Sequence, residues 1–253
     1  MSPHQRPSGT KAKVASKHQA TAASPSKRPI PIIALDFPRA ELALAMVERL
    51  GDACKFYKVG AELFTAAGPQ IVQALRALGK DVFLDLKFHD IPNTVRGATR
   101  SAAGIGAKLV TVHATGGREM LEAAVEGAGP NCGVLGVTIL TSIDAAMLRT
   151  AWGRKSLEVY GEVLRLAGEC ADAGAHGVVC SGLEAQKISA KYGSRLKLLV
   201  PGIRPAGGRT DDQKRTVTAA EAARAGANYI VLGRMITEAK EPASELKSVM
   251  TTL

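Results

Sequence analysis

The most constraining feature of this chain is an alternation. From residue 30 onward, eight short apolar runs alternate with stretches of helical periodicity over about 225 residues. The runs are Ile30–Asp36, Lys55–Gly60, Asp81–Lys87, Lys108–His113, Gly133–Thr141, Gly177–Ser181, Lys197–Pro201 and Tyr229–Gly233. Helical patterns between them include Arg39–Leu50, Ala61–Leu78, Val95–Ala103, Arg118–Gly127, Ser156–Ala173 and Ala219–Ala225. Strands separated by helices pair in parallel, because a parallel connection needs a long crossover. Eight such units in a chain of this length predict an α/β fold, a single-domain (β/α)8 TIM barrel over residues 29–253. An open doubly wound sheet is the rival. It usually carries a glycine-rich phosphate turn after its first strand, whereas this chain reads Leu35-Asp36-Phe37-Pro38-Arg39 there. No G-x-x-x-x-G-K-[ST] occurs, so the pattern offers little to a nucleotide cofactor.

Charge narrows the choice of partner. The net charge is +10, which could signal nucleic acid, a membrane surface, an anionic substrate or a basic tail. Residues 1–28 hold six basic residues and no acidic one, among Ser, Ala, Pro, Thr and Gln. The stretch lacks apolar periodicity and reads as a disordered basic tail. Without it the net charge is +4, which removes most of the case for nucleic acid. There is neither a secretory apolar segment nor a transmembrane stretch. Cys54, Cys132, Cys170 and Cys180 are far apart and form no C-x-x-C pair. They read as reduced, mostly buried thiols of a cytoplasmic protein.

Strand parity gathers the polar residues. Side chains two apart share a face of a strand. Ile32, Ala34 and Asp36 form one such row. Others are Phe56, Lys58 and Gly60; Phe83, Asp85 and Lys87; Leu109, Thr111 and His113; and Val137, Ile139 and Thr141. In each row the polar group lies at or near the C-terminal end, where barrel enzymes carry their chemistry. The densest cluster is Asp85-x-Lys87-x-x-Asp90. On an exposed surface such a pair contributes about 0–1 kcal/mol. At a barrel mouth, with an effective dielectric near 20, two charges about 4 Å apart interact by roughly 4 kcal/mol. That would fix the direction of Lys87, as a general acid requires. Gly233-Arg234 follows the last strand, in the usual phosphate region of such barrels. Residues 205–212, rich in Gly, Pro, Asp and Thr, suit a lid over that phosphate.

These motifs together resemble the orotidine 5′-phosphate decarboxylase family. They are Asp85-x-Lys87-x-x-Asp90 with Ile91-Pro92-Asn93-Thr94, Leu35-Asp36, Tyr57-Lys58-Val59-Gly60, Leu140-Thr141-Ser142, Pro201-Gly202-Ile203-Arg204-Pro205 and Gly233-Arg234. The resemblance spans about residues 30–240 and keeps the family's order. It implies decarboxylation of orotidine 5′-monophosphate to UMP, with no metal and no organic cofactor. It makes Lys87 the acid and sets Asp85 beside the substrate carboxylate, with Lys58 and Asp90 completing an alternating Lys–Asp array. Asp36 and Lys58 would bind ribose hydroxyls, and Thr141 the pyrimidine edge. Arg204, Gln213, Gly233 and Arg234 would bind phosphate. Asp90 and Thr94 would enter the neighbouring subunit's site, which implies a homodimer with shared active sites. His113 also matches a family position, whereas His89 reads as structural. Two features depart from the family pattern: the tail 1–28, and Met235 where many members have Pro. Neither is expected to cost binding. The nearest alternative is a sugar-phosphate enzyme of the same superfamily. Such enzymes share the D-x-K-x-x-D motif but bind Mg²⁺ and carry an acid in place of Lys58. A barrel that binds nucleic acid without catalysis is a second alternative.

Overall fold

In a computed structural model the described residues are 28–205 and 215–253. Their strands are β1 (Ile30–Ala34), β2 (Phe56–Gly60), β3 (Asp81–Phe88), β4 (Leu109–His113), β5 (Gly133–Val137), β6 (Gly177–Val179), β7 (Lys197–Val200) and β8 (Tyr229–Leu232). All pair in parallel with their sequence neighbours, and β8 returns to β1, closing the expected barrel. The helices are α1 (Ala40–Leu50), α2 (Ala61–Ala67), α3 (Gln70–Ala77), α4 (Pro92–Gly104), α5 (Arg118–Ala128), α6 (Ala145–Trp152), α7 (Val159–Asp172), α8 (Gly182–Tyr192), α9 (Ala219–Arg224), α10 (Arg234–Thr237) and α11 (Pro242–Thr251).

Period-2 alternation splits the core into two layers. Ile32, Ala34, Phe56, Phe83, Leu109, Leu135, Leu199 and Val231 fill the barrel interior. The intervening residues, such as Ile33, Tyr57, Leu84, Val110 and Val134, pack outward against the helices. The interior is therefore a packed plug and leaves room for a site only above it.

Several boundaries differ from the sequence expectation. The periodicity of Ala61–Leu78 continues through Gly68-Pro69, but the helix breaks there into α2 and α3. Gly68 adopts φ 62°, a positive value that a side chain would strain. β5 ends at Val137, so Thr141 sits in the following loop instead of on a strand. Asp36 likewise lies just beyond β1. The helix expected to start at Ser156 starts at Val159, and α4 starts at Pro92, ahead of Val95.

The join of α4 to α5 sets where the loop after β3 sits. A Cβ on Gly127 of α5 would lie 2.2 Å from the Arg96 carbonyl oxygen and 2.4 Å from Thr99 Oγ1 of α4. Gly127→Ala should thus force the helices apart and cost about 1–3 kcal/mol, read as a lower urea midpoint with an unchanged slope.

Candidate active site

The polar residues gathered by parity stand directly above the interior layer. Lys58 is two residues beyond Phe56, Asp85 two beyond Phe83, and Thr111 two beyond Leu109. A cavity of about 590 Å³ opens there, with Ala34, Phe83, Val179, Leu199 and Val231 among its apolar lining. Asp36, Lys58, Asp85, Lys87, Thr141, Arg204, Gly233 and Arg234 line the same cavity. Eight of the expected site residues from six loops or strand ends therefore converge.

Their charges alternate. Lys58 Nζ lies 2.8 Å from Asp36 Oδ1 and 3.8 Å from Asp85 Oδ2. Lys87 Nζ donates to Asp85 Oδ1 at 2.9 Å. Thr111 Oγ1 donates to the same oxygen at 3.0 Å. The Asp85 side chain is only 13% exposed, so its pairs are far less screened than surface pairs. Gly60 leaves space for this array, since a Cβ there would sit 2.9 Å from Lys58 Nζ.

Lys87 is aimed by an irregular backbone. The β3–β4 register shifts between Leu84 and Phe88. Lys87 has φ 51°, the one positive value at a non-glycine among the described residues. A lysine in this left-handed region is strained, by about 1–3 kcal/mol, and such strain persists where the surroundings hold it. Thr111 provides that hold: its Oγ1 accepts the Lys87 backbone N–H at 2.9 Å while donating to Asp85. One threonine on β4 thus fixes both members of the Asp85–Lys87 pair. Sequence parity puts Thr111 on this face but carries no sign of this role, because a bulge is a property of strand pairing.

Asp90 and Thr94 behave differently. Both are exposed and neither lines the cavity of its own chain. Asp90 Oδ1 accepts the Ile91 N–H at 2.7 Å, and Ile91 is 68% exposed. Gln213 and residues 206–212 of the expected lid lie outside the described residues.

The His89 and His113 rings lie beside each other, with centroids 5.5 Å apart and planes tilted by 37°. Burial, followed by the neighbouring His89 and Lys87, lowers the His113 pKa from its ordinary 6.5, with Asp85 opposing. The unfolded chain therefore takes up this proton first as pH falls. The stability linked to His113 is complete above about pH 6.5 and is lost as pH drops towards the lower folded value. His113→Gln should flatten the change in urea midpoint between about pH 7.5 and 5.5.

Among the described residues, no three His, Cys, Asp or Glu side chains are grouped to hold a metal. Lys58 places an ammonium between Asp36 and Asp85, where a divalent ion would need oxygen ligands. The site as built does not fit Mg²⁺ between those carboxylates.

Residues 29–249 match the model of the Orotidine 5'-phosphate decarboxylase / HUMPS family. The chain belongs to this family. An orotidine 5'-phosphate decarboxylase of Anaeromyxobacter sp. (strain K) is 50% identical over 220 residues, covering 87% of this chain and 96% of that protein. The one from Halorhodospira halophila is 47% identical over 225 residues, covering 86% and 93%. The crystal structure of the Lactobacillus acidophilus orotidine 5'-phosphate decarboxylase superposes with a TM-score of 0.79 at 37% identity, covering 89% of this chain and 99% of that one. The expected orotidine 5'-phosphate decarboxylase resemblance and the enzyme class, a carboxy-lyase, both stand with these relatives. Among the described residues no helix is long and apolar enough to cross a membrane.

Proposed function

We propose that this chain decarboxylates orotidine 5′-monophosphate to UMP and CO₂, the closing step of pyrimidine nucleotide synthesis, using neither metal nor organic cofactor. The observation that carries this reading is the Asp36–Lys58–Asp85–Lys87 array on one wall of a cavity that also holds Arg204 and Arg234. A phosphate at the arginines leaves the pyrimidine over the array. Departure of CO₂ breaks the bond between C6 and the carboxyl carbon and leaves the electron pair on C6. The Lys87 ammonium then gives its proton to C6, and the resulting amine regains one from solvent. Its positive charge also stabilises the carbanion as it forms, without reorganisation, because Asp85 and Thr111 already hold it in place. Asp85 beside the substrate carboxylate opposes the bound ground state more than the transition state. Asp36 and Lys58 take the ribose hydroxyls, Thr141 the pyrimidine edge, and Arg204, Gln213, Gly233 and Arg234 the phosphate. Binding energy gained at the phosphate is available to close the site and orient the distant reacting carbon.

The functional unit is a homodimer with active sites shared across subunits. Exposed Asp90 and Thr94, beside exposed Ile91, suit a contribution to a second copy's cavity. Mixing Lys87→Ala with Asp90→Ala chains should then restore part of the activity, since one site in each heterodimer regains both residues. Demonstrated heterodimers without activity would refute sharing. The substrate is a small anionic nucleotide, and neither nucleic acid nor a membrane is a partner. Four free, buried cysteines suit a reducing cytoplasm.

The activity is tested by following the orotate absorbance of the nucleotide with purified protein and counting one CO₂ per UMP formed. Unchanged absorbance would refute it. Lys58 also separates this reading from a Mg²⁺-dependent sugar-phosphate enzyme, since its ammonium takes the place between the two carboxylates.

A further inference from the structure

Behind the cavity, Arg215 is largely buried where the loop after β5 meets the start of α8. Its Nη1 donates to Glu184 Oε1, and Nη2 donates to the carbonyl oxygens of Ile139 at 3.0 Å and Leu140 at 3.1 Å. The two charged side chains are 11% and 7% exposed. Ser181, the N-cap of α8, reaches the Arg215 carbonyl with its Oγ at 3.5 Å. Two residues on, Val217 forms a parallel bridge with Ile203. The Arg204 N–H donates to Val217 O at 3.0 Å, and the Val217 N–H to Gly202 O at 3.3 Å. One three-residue stretch therefore touches both ends of the cavity, the loop of Thr141 and the strand end of Arg204.

Stability alone does not account for this arrangement. A buried ion pair loses much of its Coulomb gain to desolvation. Glu184 Oε2 and Arg215 Nε lack a hydrogen-bond partner among the described residues. Burial pushes the Glu184 carboxyl up despite the opposing effect of Arg215. What the guanidinium does achieve is specific: while Nη1 holds Glu184, Nη2 donates to two successive carbonyls in a segment that has left β5. Ile139, Leu140 and Thr141 line the cavity, and Arg215 does not.

We propose that Arg215 is a positioning residue that locks the Ile139–Thr141 backbone to the segment bridged to Arg204, holding the base end and the phosphate end of the cavity at a fixed separation. This rests on the reading above, in which Thr141 meets the pyrimidine and Arg204 the phosphate.

Arg215→Lys is the discriminating variant. A single ammonium keeps the charge opposite Glu184 but cannot span a carboxylate and two carbonyls. The variant should fold with a near-unchanged thermal midpoint. Its KM for orotidine 5′-monophosphate and its Kd for UMP should each rise about tenfold, with kcat within about threefold. The KM effects of Arg215→Lys and Thr141→Ala should be less than multiplicative, because both act on one contact. Amide exchange at Ile143, whose N–H donates to Leu140 O at 2.9 Å, should accelerate. Unchanged KM with unchanged exchange at Ile143, or strictly multiplicative KM effects, would overturn the inference. If Arg215→Lys does not fold, the Glu184→Leu/Arg215→Met double variant replaces the pair by apolar groups and carries the same readouts. A wild-type chain that leaves the nucleotide untouched would refute the proposed function, and exchange at Ile143 would then decide on its own whether Arg215 holds the loop.

Discussion

Lys87→Ala should lower kcat for the decarboxylation by at least about 10⁴-fold and leave the barrel folded. The size follows from two roles resting on one ammonium. In the proposed mechanism it stabilises a carbanion as the charge develops and then supplies the proton that quenches it. Either role alone is worth about 10²–10⁴-fold in typical enzymes. The fold should survive because the Lys87 side chain is 36% exposed and packs into no core layer. The expected signature is a collapse of kcat with little change in the Kd for UMP, since the product carries neither the carboxylate nor the carbanion. Circular dichroism and the urea midpoint check the fold. Turnover within tenfold of wild type would remove Lys87 from the chemistry.

Asp85→Ala should lower kcat by about 10³-fold, for a different reason. Asp85 Oδ1 accepts from both Lys87 Nζ and Thr111 Oγ1, and Oδ2 faces Lys58. Without this carboxylate, two ammonium groups at the mouth lose the charge between them and repel each other. Lys87 is then free to leave its aim, and misplacement by about 1 Å can cost 10²-fold. Thr111→Val is the milder form of the same defect. It removes the acceptor of the Lys87 N–H and one donor to Asp85 while leaving every charge in place, so its loss should be smaller than that of Asp85→Ala. Equal activity of Asp85→Ala and wild type would show that the array does not position the acid.

Much of this site was legible in the sequence because barrel geometry turns parity into position. Once Phe56, Phe83 and Leu109 are interior, Lys58, Asp85 and Thr111 must point the same way one layer higher. The eight strands were legible for a related reason, since strands buried on both faces read as near-continuous apolar runs. What escaped reading depends on neighbours distant in sequence. The Leu84–Phe88 register shift exists only between β3 and β4, and no local pattern announces a lysine at φ 51°. The apolar run before Thr141 continues past Val137, where the β5 ladder ends, so periodicity alone extends the strand too far. The hold of Arg215 on Ile139 and Leu140 joins residues about 75 positions apart and leaves no periodic trace.

In the proposed reaction this lysine–aspartate array decarboxylates a pyrimidine nucleotide without a metal. The most direct measurement incubates the purified chain with orotidine 5′-monophosphate in excess chelator and follows absorbance together with CO₂ release. UMP and CO₂ should appear in equal amounts, at the same rate with and without chelator, and Lys87→Ala should give no turnover. Turnover that disappears with the chelator and returns with Mg²⁺, or no turnover of this nucleotide at all, would contradict it.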